Sequence, residues 1–328
     1  MSILRGVNLG GWLVLERWMT PTLFEGTDVA DEWTFMETDG ALDKLRQHRD
    51  TFITEDDFKW IADHGLNAVR LPVGYWIIQP DGPYAEGITY VDWAFAMAEK
   101  YKLFVLLDLH GVPESQNGHD HSGKSGRAGW FDSSAAQART VEVLEQLHER
   151  YIASPSYWGL QLINEPQVRV FHRTLRQFYK KAAHAISGNQ RIVFHDAFTP
   201  RLLSGALRYD SRAVMDIHFY HMTSFISRFM SAERFVSVCA WLYGRTLRRV
   251  RKQQPVIIGE WSIVLKGDKI AHLDKSEARQ LMAEFGRIQL AVYEQYCAGW
   301  FYWSYKTERP DIWNMRSLIE DGTIHIPH

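Results

Sequence analysis

Two glutamates sit where side chains can do chemistry. Glu165 lies between Asn164 and Pro166 at the end of an apolar run, and Glu260 lies in Ile258-Gly259-Glu260-Trp261-Ser262 at the end of another. Other apolar runs also end in polar residues: one at Arg70, one in Asp108-Leu109-His110-Gly111, one in His218-Phe219-Tyr220-His221, and a last one carries Trp303. A lone His or Glu at such a place is more often a satisfied polar group than a functional one. Two Glu, two His, an Arg, an Asn and a Tyr gathered on one rim are harder to explain that way, because crowding polar groups without a use costs desolvation. Two carboxylates with no metal-ligating cluster point to acid/base chemistry plus a nucleophile, the pair that hydrolysis of a glycosidic bond requires. One carboxyl protonates the leaving oxygen while the other attacks the anomeric carbon. A separation of about 5–5.5 Å gives retention and about 6.5–9.5 Å gives inversion. The sequence leaves both spacings open. It suggests no metal and no cofactor.

The elements that must carry these residues alternate. Strands are expected at Ile3–Leu9, Asn67–Val73, Phe104–His110, Trp158–Asn164, Arg191–Asp196, Val214–Tyr220, Pro255–Glu260 and Trp300–Tyr305. Most are near-continuous apolar runs, as parallel strands covered on both faces should be. Helical patterns fall between them at Glu55–His64, Val91–Tyr101, Ser134–Tyr151, Phe171–Ile186, Ser224–Gln253 (with a break expected near Gly244) and Ser276–Gln295. Thr54 is the expected N-cap of the first of these. The loops Glu16–Asp50 and Gly111–Asp132 lack clear periodicity, and loops of such length usually serve function or are disordered. Eight βα units predict an α/β fold, a single (β/α)8 TIM barrel, with residues 1–328 forming one catalytic domain. The polar strand ends then open on one face, where barrel active sites sit.

Composition narrows the partners. The 328 residues are 46% hydrophobic and 23% charged, with a formal net charge of -2. That balance favours neither nucleic acid nor an anionic membrane. No run of ~18 apolar residues predicts a membrane span. The opening MSILRGVNLGGWL lacks the basic and apolar regions of a signal peptide, so the expected location is cytoplasmic, or extracellular or periplasmic if the chain has been trimmed. A monomer is expected. Cys239 and Cys297 read as buried free thiols, with a single bridge as the alternative. The 13 Trp exceed ordinary use. Trp12, Trp18 and Trp130 are each expected in the core, with pocket lining as the alternative. The basic run Arg245–Lys252 has no interleaved aromatics and reads as a solvated helix face.

These residues together resemble glycoside hydrolase family 5 along nearly the whole chain. The resemblance implies that Glu165 is the acid/base and Glu260 the nucleophile, with Arg70, His110, Asn164, His218, Tyr220 and Trp303 completing the site. Within the family the chain is similar to exo-β-1,3-glucanases through Arg5–Leu13, Asp108–Gly111 followed by Ser115-Gln116-Asn117-Gly118, and Trp303–Glu308. The same likeness gives Glu16 and Asp120 a role in holding hydroxyls of the terminal glucose. It implies a carbohydrate partner, a β-glucan or β-glucoside, cleaved with retention through a covalent glycosyl-enzyme. Arg70 should keep Glu260 ionised through a charge-assisted hydrogen bond, and Tyr220 should donate to it. Glu165 should have a raised pKa before the first step, and Asn164 should hold the 2-hydroxyl. The chain departs from the fungal pattern at the entrance: His119 stands where a first clamping Phe is expected, Met222-Thr223 near the second with Phe225 two residues on, and His121 in place of an Asn. Endo-acting β-1,4-glucanase or mannanase, transglycosylase, and a glycosidase acting on glycolipid or small glycosides are the alternatives, with a non-catalytic carbohydrate binder behind them.

Overall fold

Every expected apolar run forms a strand, and nearly every residue in those strands is buried. A computed structural model describes residues 3–167, 172–220, 232–265 and 270–327. The strands are β1 (Leu4–Asn8), β2 (Ala68–Gly74), β3 (Phe104–Gly111), β4 (Tyr157–Gln161), β5 (Arg191–His195), β6 (Ala213–Phe219), β7 (Val256–Trp261) and β8 (Gly299–Tyr302). Each pairs in parallel with the next, and β1 closes onto β8 with Leu4 opposite Gly299 and Val7 opposite Tyr302. Closure leaves no edge strand to protect. Leu4, Ala68, Leu106, Val193, Val214, Ile257 and Phe301 form one apolar cluster on the sheet, while a larger core joins the sheet to the surrounding helices.

Helices cover the sheet where amphipathic patterns predict them. The helix Glu55–Asp63 starts in a capping box formed by Thr54 and Asp57, Ser134–Tyr151 is capped by Ser133, and Lys275–Tyr296 by Asp274 with Glu277. These caps satisfy N–H groups that a helix start leaves orphaned. The helix Ala232–Val250 runs unbroken through Gly244, contrary to the expected break; the segment 224–231 expected before it lies outside the described residues. Its Arg245, Arg248 and Arg249 are exposed, as expected, and so are Arg251 and Lys252 in the turn that follows. Among the described residues no helix is long and apolar enough to cross a membrane. Cys239 and Cys297 are free thiols, the first buried and the second half-buried.

The first long loop is more ordered than expected. It contains the helices Glu32–Met36 and Ala41–Thr51, and Leu15, Phe24, Phe35, Ala41 and Leu45 form a core of their own beneath it. Buried Glu32 braces the start of the loop. It accepts from the Leu15 N–H at 3.0 Å and from Trp76 Nε1 at 3.0 Å, and faces Arg49 at 3.5 Å. Glu16 and Trp18 thus stand on a fixed platform.

Candidate active site

Arg70 organises the carboxyl ends of the strands. Its fully buried guanidinium donates from Nη1 to Glu260 Oε1 at 2.9 Å and to Asn8 Oδ1 at 2.8 Å, from Nε to Gln161 Oε1 at 3.0 Å, and from Nη2 to Asn164 Oδ1 at 2.8 Å. Nη2 also lies 3.0 Å from Asp108 Oδ2. A buried guanidinium needs this many partners to offset its desolvation. The partners come from β1, β3, β4 and β7 and from the turn after β4, so one side chain ties distant strands together.

Glu260 receives one donor on each oxygen: Arg70 on Oε1, and the Tyr220 hydroxyl on Oε2 at 2.8 Å. Glu165 faces it across His218. His218 Nδ1 lies 2.7 Å from Glu165 Oε1 and 3.4 Å from Glu260 Oε2. The two carboxylate oxygens are therefore no more than about 6 Å apart, the most those two contacts allow, which is short of the ~6.5–9.5 Å of inverting pairs. His218 Nε2 contacts Asp216 Oδ2 at 3.0 Å. Burial alone would lower the pKa of His218, but the charges of Glu260 and Asp216 and its hydrogen bonds push it well above the usual imidazole range, so it is an imidazolium.

That charge sets the state of its neighbours. Burial would raise Glu165, yet the hydrogen bond and charge of His218 hold it below the usual carboxylate range. The raised pKa expected for Glu165 is thus not a property of the unliganded site, because a cation sits against the carboxylate. Burial likewise opposes the ionisation of Asp216, and His218 draws it down to about 2. Asp216 Oδ1 accepts from the Gly259 N–H at 2.6 Å. A Cβ at Gly259 would fall 2.2 Å from that carboxylate, so the glycine before Glu260 is there to let Asp216 approach.

His110 is neutral. Burial and then the nearby Arg70 charge lower its pKa to about 3. Its Nδ1–H donates to Asp108 Oδ2 at 2.7 Å, which leaves Nε2 to accept from Asn164 Nδ2 at 3.3 Å. Its ring stacks near Trp303, with centroids 5.5 Å apart, and the Trp303 indole lies where a Cβ on Gly10 would come within 2.9 Å of it. The turn after β4 is held from the β3 loop. Gln116 Nε2 donates to the Asn164 carbonyl at 2.9 Å, and Asn117 Nδ2 to the Glu165 carbonyl at 3.0 Å. Glu165 has φ +40, left-handed backbone that side-chain-bearing residues adopt only when their surroundings hold them there.

These groups open on a cavity of about 620 Å³ lined by Glu16, Trp18, His110, His119, His121, Asn164, Glu165, Phe198, Tyr220, Glu260, Trp303 and Trp313, a size that suits a small ligand. Glu16 is 5% exposed, and its Oε2 accepts from Trp18 Nε1 at 2.8 Å. Its Oε1 has no hydrogen-bond partner among the described residues. Burial, and then the charges of Asp120, Glu260 and Glu165 against the opposing Trp18 bond, raise its pKa well above the carboxylate range. Eight of the ten expected site residues therefore converge: Glu16, His110, Asn164, Glu165, Tyr220, Glu260 and Trp303 on the wall, with His218 behind it. Arg70 is the ninth, buried beneath. Asp120 lies on the short turn Asp120–Ser122, near enough to influence Glu16 but off the cavity wall.

Sequence reasoning passed over several participants. Asn8, Gln161 and Asp216 are buried polar residues on strands; Asp216 carried a usable signal, since residues i and i+2 of a strand share a face and His218 follows at that spacing. Trp18 is 42% exposed and lines the cavity instead of packing in the core, whereas Trp12 and Trp130 are fully buried as expected. Phe198 reaches the rim from the turn after β5 with φ +56. His221, Met222, Thr223 and Phe225 lie outside the described residues.

The comparisons agree with this geometry. Residues 25–309 match the family model described as Cellulase (glycosyl hydrolase family 5). A protein of Aspergillus clavatus named "Probable glucan 1,3-beta-glucosidase A" is 34% identical over 372 residues, covering 99% of this chain and 88% of its own length. "Glucan 1,3-beta-glucosidase" of Blumeria graminis is 32% identical, covering 98% and 87%. Among solved structures, a rutinosidase from Aspergillus niger superposes with a TM-score of 0.82 at 21% identity, covering 98% of both chains, which is a likeness of fold. With a family model over most of its length and relatives aligned almost end to end, the chain belongs to glycoside hydrolase family 5 and is a retaining glycoside hydrolase.

Proposed function

We propose that the chain releases glucose from the non-reducing ends of β-1,3-linked glucans, with Glu260 as nucleophile and Glu165 as acid/base. The observation that carries the exo reading is Glu16. Its carboxyl is buried in the same cavity as the two catalytic candidates, with one oxygen lacking a partner among the described residues. A buried polar atom of that kind is costly unless a ligand satisfies it, and sugar hydroxyls at a chain end supply the donors. The names of the relatives support the β-1,3 linkage.

In the first step Glu260 Oε attacks the anomeric carbon, the glycosidic C–O bond breaks, and Glu165 passes its proton to the leaving oxygen. In the second, Glu165 takes a proton from water, which displaces Glu260 with retained configuration. The proton needed at Glu165 in step one must overcome the hold of His218. A bound sugar adds to the desolvation of the carboxylate, which acts to raise the pKa of Glu165. Asn164 lines the wall with its amide shared between Arg70 and His110, positioned for a hydroxyl next to the anomeric carbon.

A second reading rests on the rim. His119 and His121 line the entrance where the family resemblance leads one to expect Phe and Asn, which favours a small glycoside whose leaving group hydrogen-bonds. The deciding experiment is time-resolved product analysis on β-1,3-, β-1,4- and β-1,6-linked glucose oligomers alongside a panel of alkyl, aryl and lipid β-glucosides. Glucose as first product from the β-1,3 series, initially as the β-anomer, is expected. Internal cleavage, or turnover confined to the glucoside panel, would overturn the exo-glucanase reading.

A further inference from the structure

The two oxygens of Glu165 are not equivalent. Oε1 accepts from His218 Nδ1 at 2.7 Å, and the other nitrogen of that imidazolium is bound to Asp216 at 3.0 Å. A proton placed on Oε1 would face the proton His218 already donates. Oε2 faces a different ring: His121 Nε2 stands 3.5 Å away. His121 is half-buried in the cavity wall, edge-on to His110 at 5.5 Å and stacked with exposed His119 at 5.5 Å. Its Nδ1 is buried with no hydrogen-bond partner among the described residues.

We propose that His121 is a positioning residue that keeps the catalytic proton of Glu165 on Oε2. The proposal rests on Glu165 being the acid/base. A neutral imidazole can accept from one nitrogen or donate from it, according to which nitrogen carries the hydrogen. No partner among the described residues holds Nδ1 to one tautomer. When Glu165 is the acid, Nε2 accepts from Oε2–H and the ring hydrogen is on Nδ1. When Glu165 is a carboxylate, the ring hydrogen is on Nε2 and is donated to Oε2. An amide at this position, as the family resemblance leads one to expect, cannot change roles at a single atom in this way.

The ring must stay neutral for this to work. Glu165, Glu260 and Asp120 favour its charged form and His110 opposes it, with His119 stacked alongside; burial is the largest influence and lowers its pKa. When the glycosidic oxygen arrives, Oε2–H breaks its bond to hydrogen, the proton passes to that oxygen as its bond to the anomeric carbon breaks, and His121 is left beside the leaving group.

The test uses His121→Phe, which keeps a ring in the stack and removes both nitrogens, and His121→Gln, whose amide reaches the same place. Wild type and both variants are assayed on methyl β-glucoside, which needs protonation to leave, and on 2,4-dinitrophenyl β-glucoside, which does not. In His121→Phe, kcat/KM should fall roughly tenfold more on the alkyl than on the aryl substrate, because only the alkyl leaving group needs the positioned proton. His121→Gln should recover part of the alkyl activity. Equal losses on both substrates would overturn the proposal, as would a Gln variant no better than Phe when both melt at the wild-type temperature. Glu165→Gln, assayed in parallel, keeps the two readings apart. Its retention of alkyl glucoside turnover would sink the acid/base assignment itself, whereas an inactive Glu165→Gln beside an unaltered His121→Phe removes only the role of His121.

Discussion

Arg70 makes side-chain contacts with Asn8, Asp108, Gln161, Asn164 and Glu260, and it shows what one residue can be asked to do. A lysine offers three donors from one point and cannot reproduce that fork. Arg70→Lys should therefore leave buried acceptors unpaired, costing about 3–5 kcal/mol of stability in denaturant unfolding, and should lower kcat by misplacing Glu260. Glu260→Gln keeps the shape and removes the proposed nucleophile. Its kcat should fall by several orders of magnitude with an unchanged melting temperature, and substantial residual hydrolysis would count against the nucleophile assignment. Residues of this kind were legible because they interrupt an apolar run, as Arg70 does within β2, or close one, as His110, Asn164 and Glu260 do. Asn8 and Gln161 were not, since nothing in sequence distinguishes a barrel-interior amide aimed at a guanidinium from one aimed at the backbone. The protonation of Glu165 was misjudged for a related reason: its neighbour His218 was visible, but the wedging of that ring between carboxylates was not.

At the level of elements, the strands were legible and the irregularities in them were not. Register shifts fall between Ile217 and His218 on β6 and between Ile258 and Trp261 on β7, and such irregularities re-aim side chains near active sites. Gly259 sits inside the second. Gly259→Ala should push Asp216 aside, destabilise the fold by about 1–3 kcal/mol through overpacking, and lower kcat/KM by disturbing the Asp216–His218 pair. Asp274→Ala is the contrasting case. It removes the cap of Lys275–Tyr296, where Asp274 accepts from Ser276 and Glu277 N–H groups at 2.7 and 2.9 Å. About 1 kcal/mol of stability should go, with kinetics unaltered. The helix Ala41–Thr51 escaped notice because its inward face is half polar: His48 and Arg49 are buried beside Ala41 and Leu45. A period read from apolar residues alone misses such a face. Its buried polar groups meet distant parts of the chain: His48 Nε2 bonds the Gly11 carbonyl at 2.8 Å, Arg49 Nη1 the Glu86 carbonyl at 2.9 Å, and Arg49 Nη2 faces Glu32 at 3.5 Å.

For the molecule as a whole, that same histidine makes a pH dependence. Burial, against its hydrogen bond to Gly11, lowers the pKa of His48 to about 4 from an ordinary 6.5. The unfolded chain thus binds a proton that the folded chain refuses between pH 6.5 and 4, so the contribution is present above 6.5 and is lost as pH falls to about 4. His48→Gln should flatten the acid side of the stability curve, narrowing by about 3 kcal/mol the loss between neutral pH and pH 4. Parallel curves for the two proteins would refute it.

The barrel's seam has a temporal consequence. β1 pairs only with β2 and β8, and the Tyr305 N–H and Ser304 hydroxyl reach back to the Asn8 carbonyl, each at 2.9 Å. Asn8 is in turn a partner of Arg70. A chain emerging from the ribosome therefore holds two unmated hydrogen-bonding rims, and carries Glu165 and Glu260 without a finished floor beneath them, until Gly299–Tyr302 has been made. Hydrolytic competence should arrive in one step, when β8 zips the cylinder shut, and the nascent protein should depend on chaperones up to that moment.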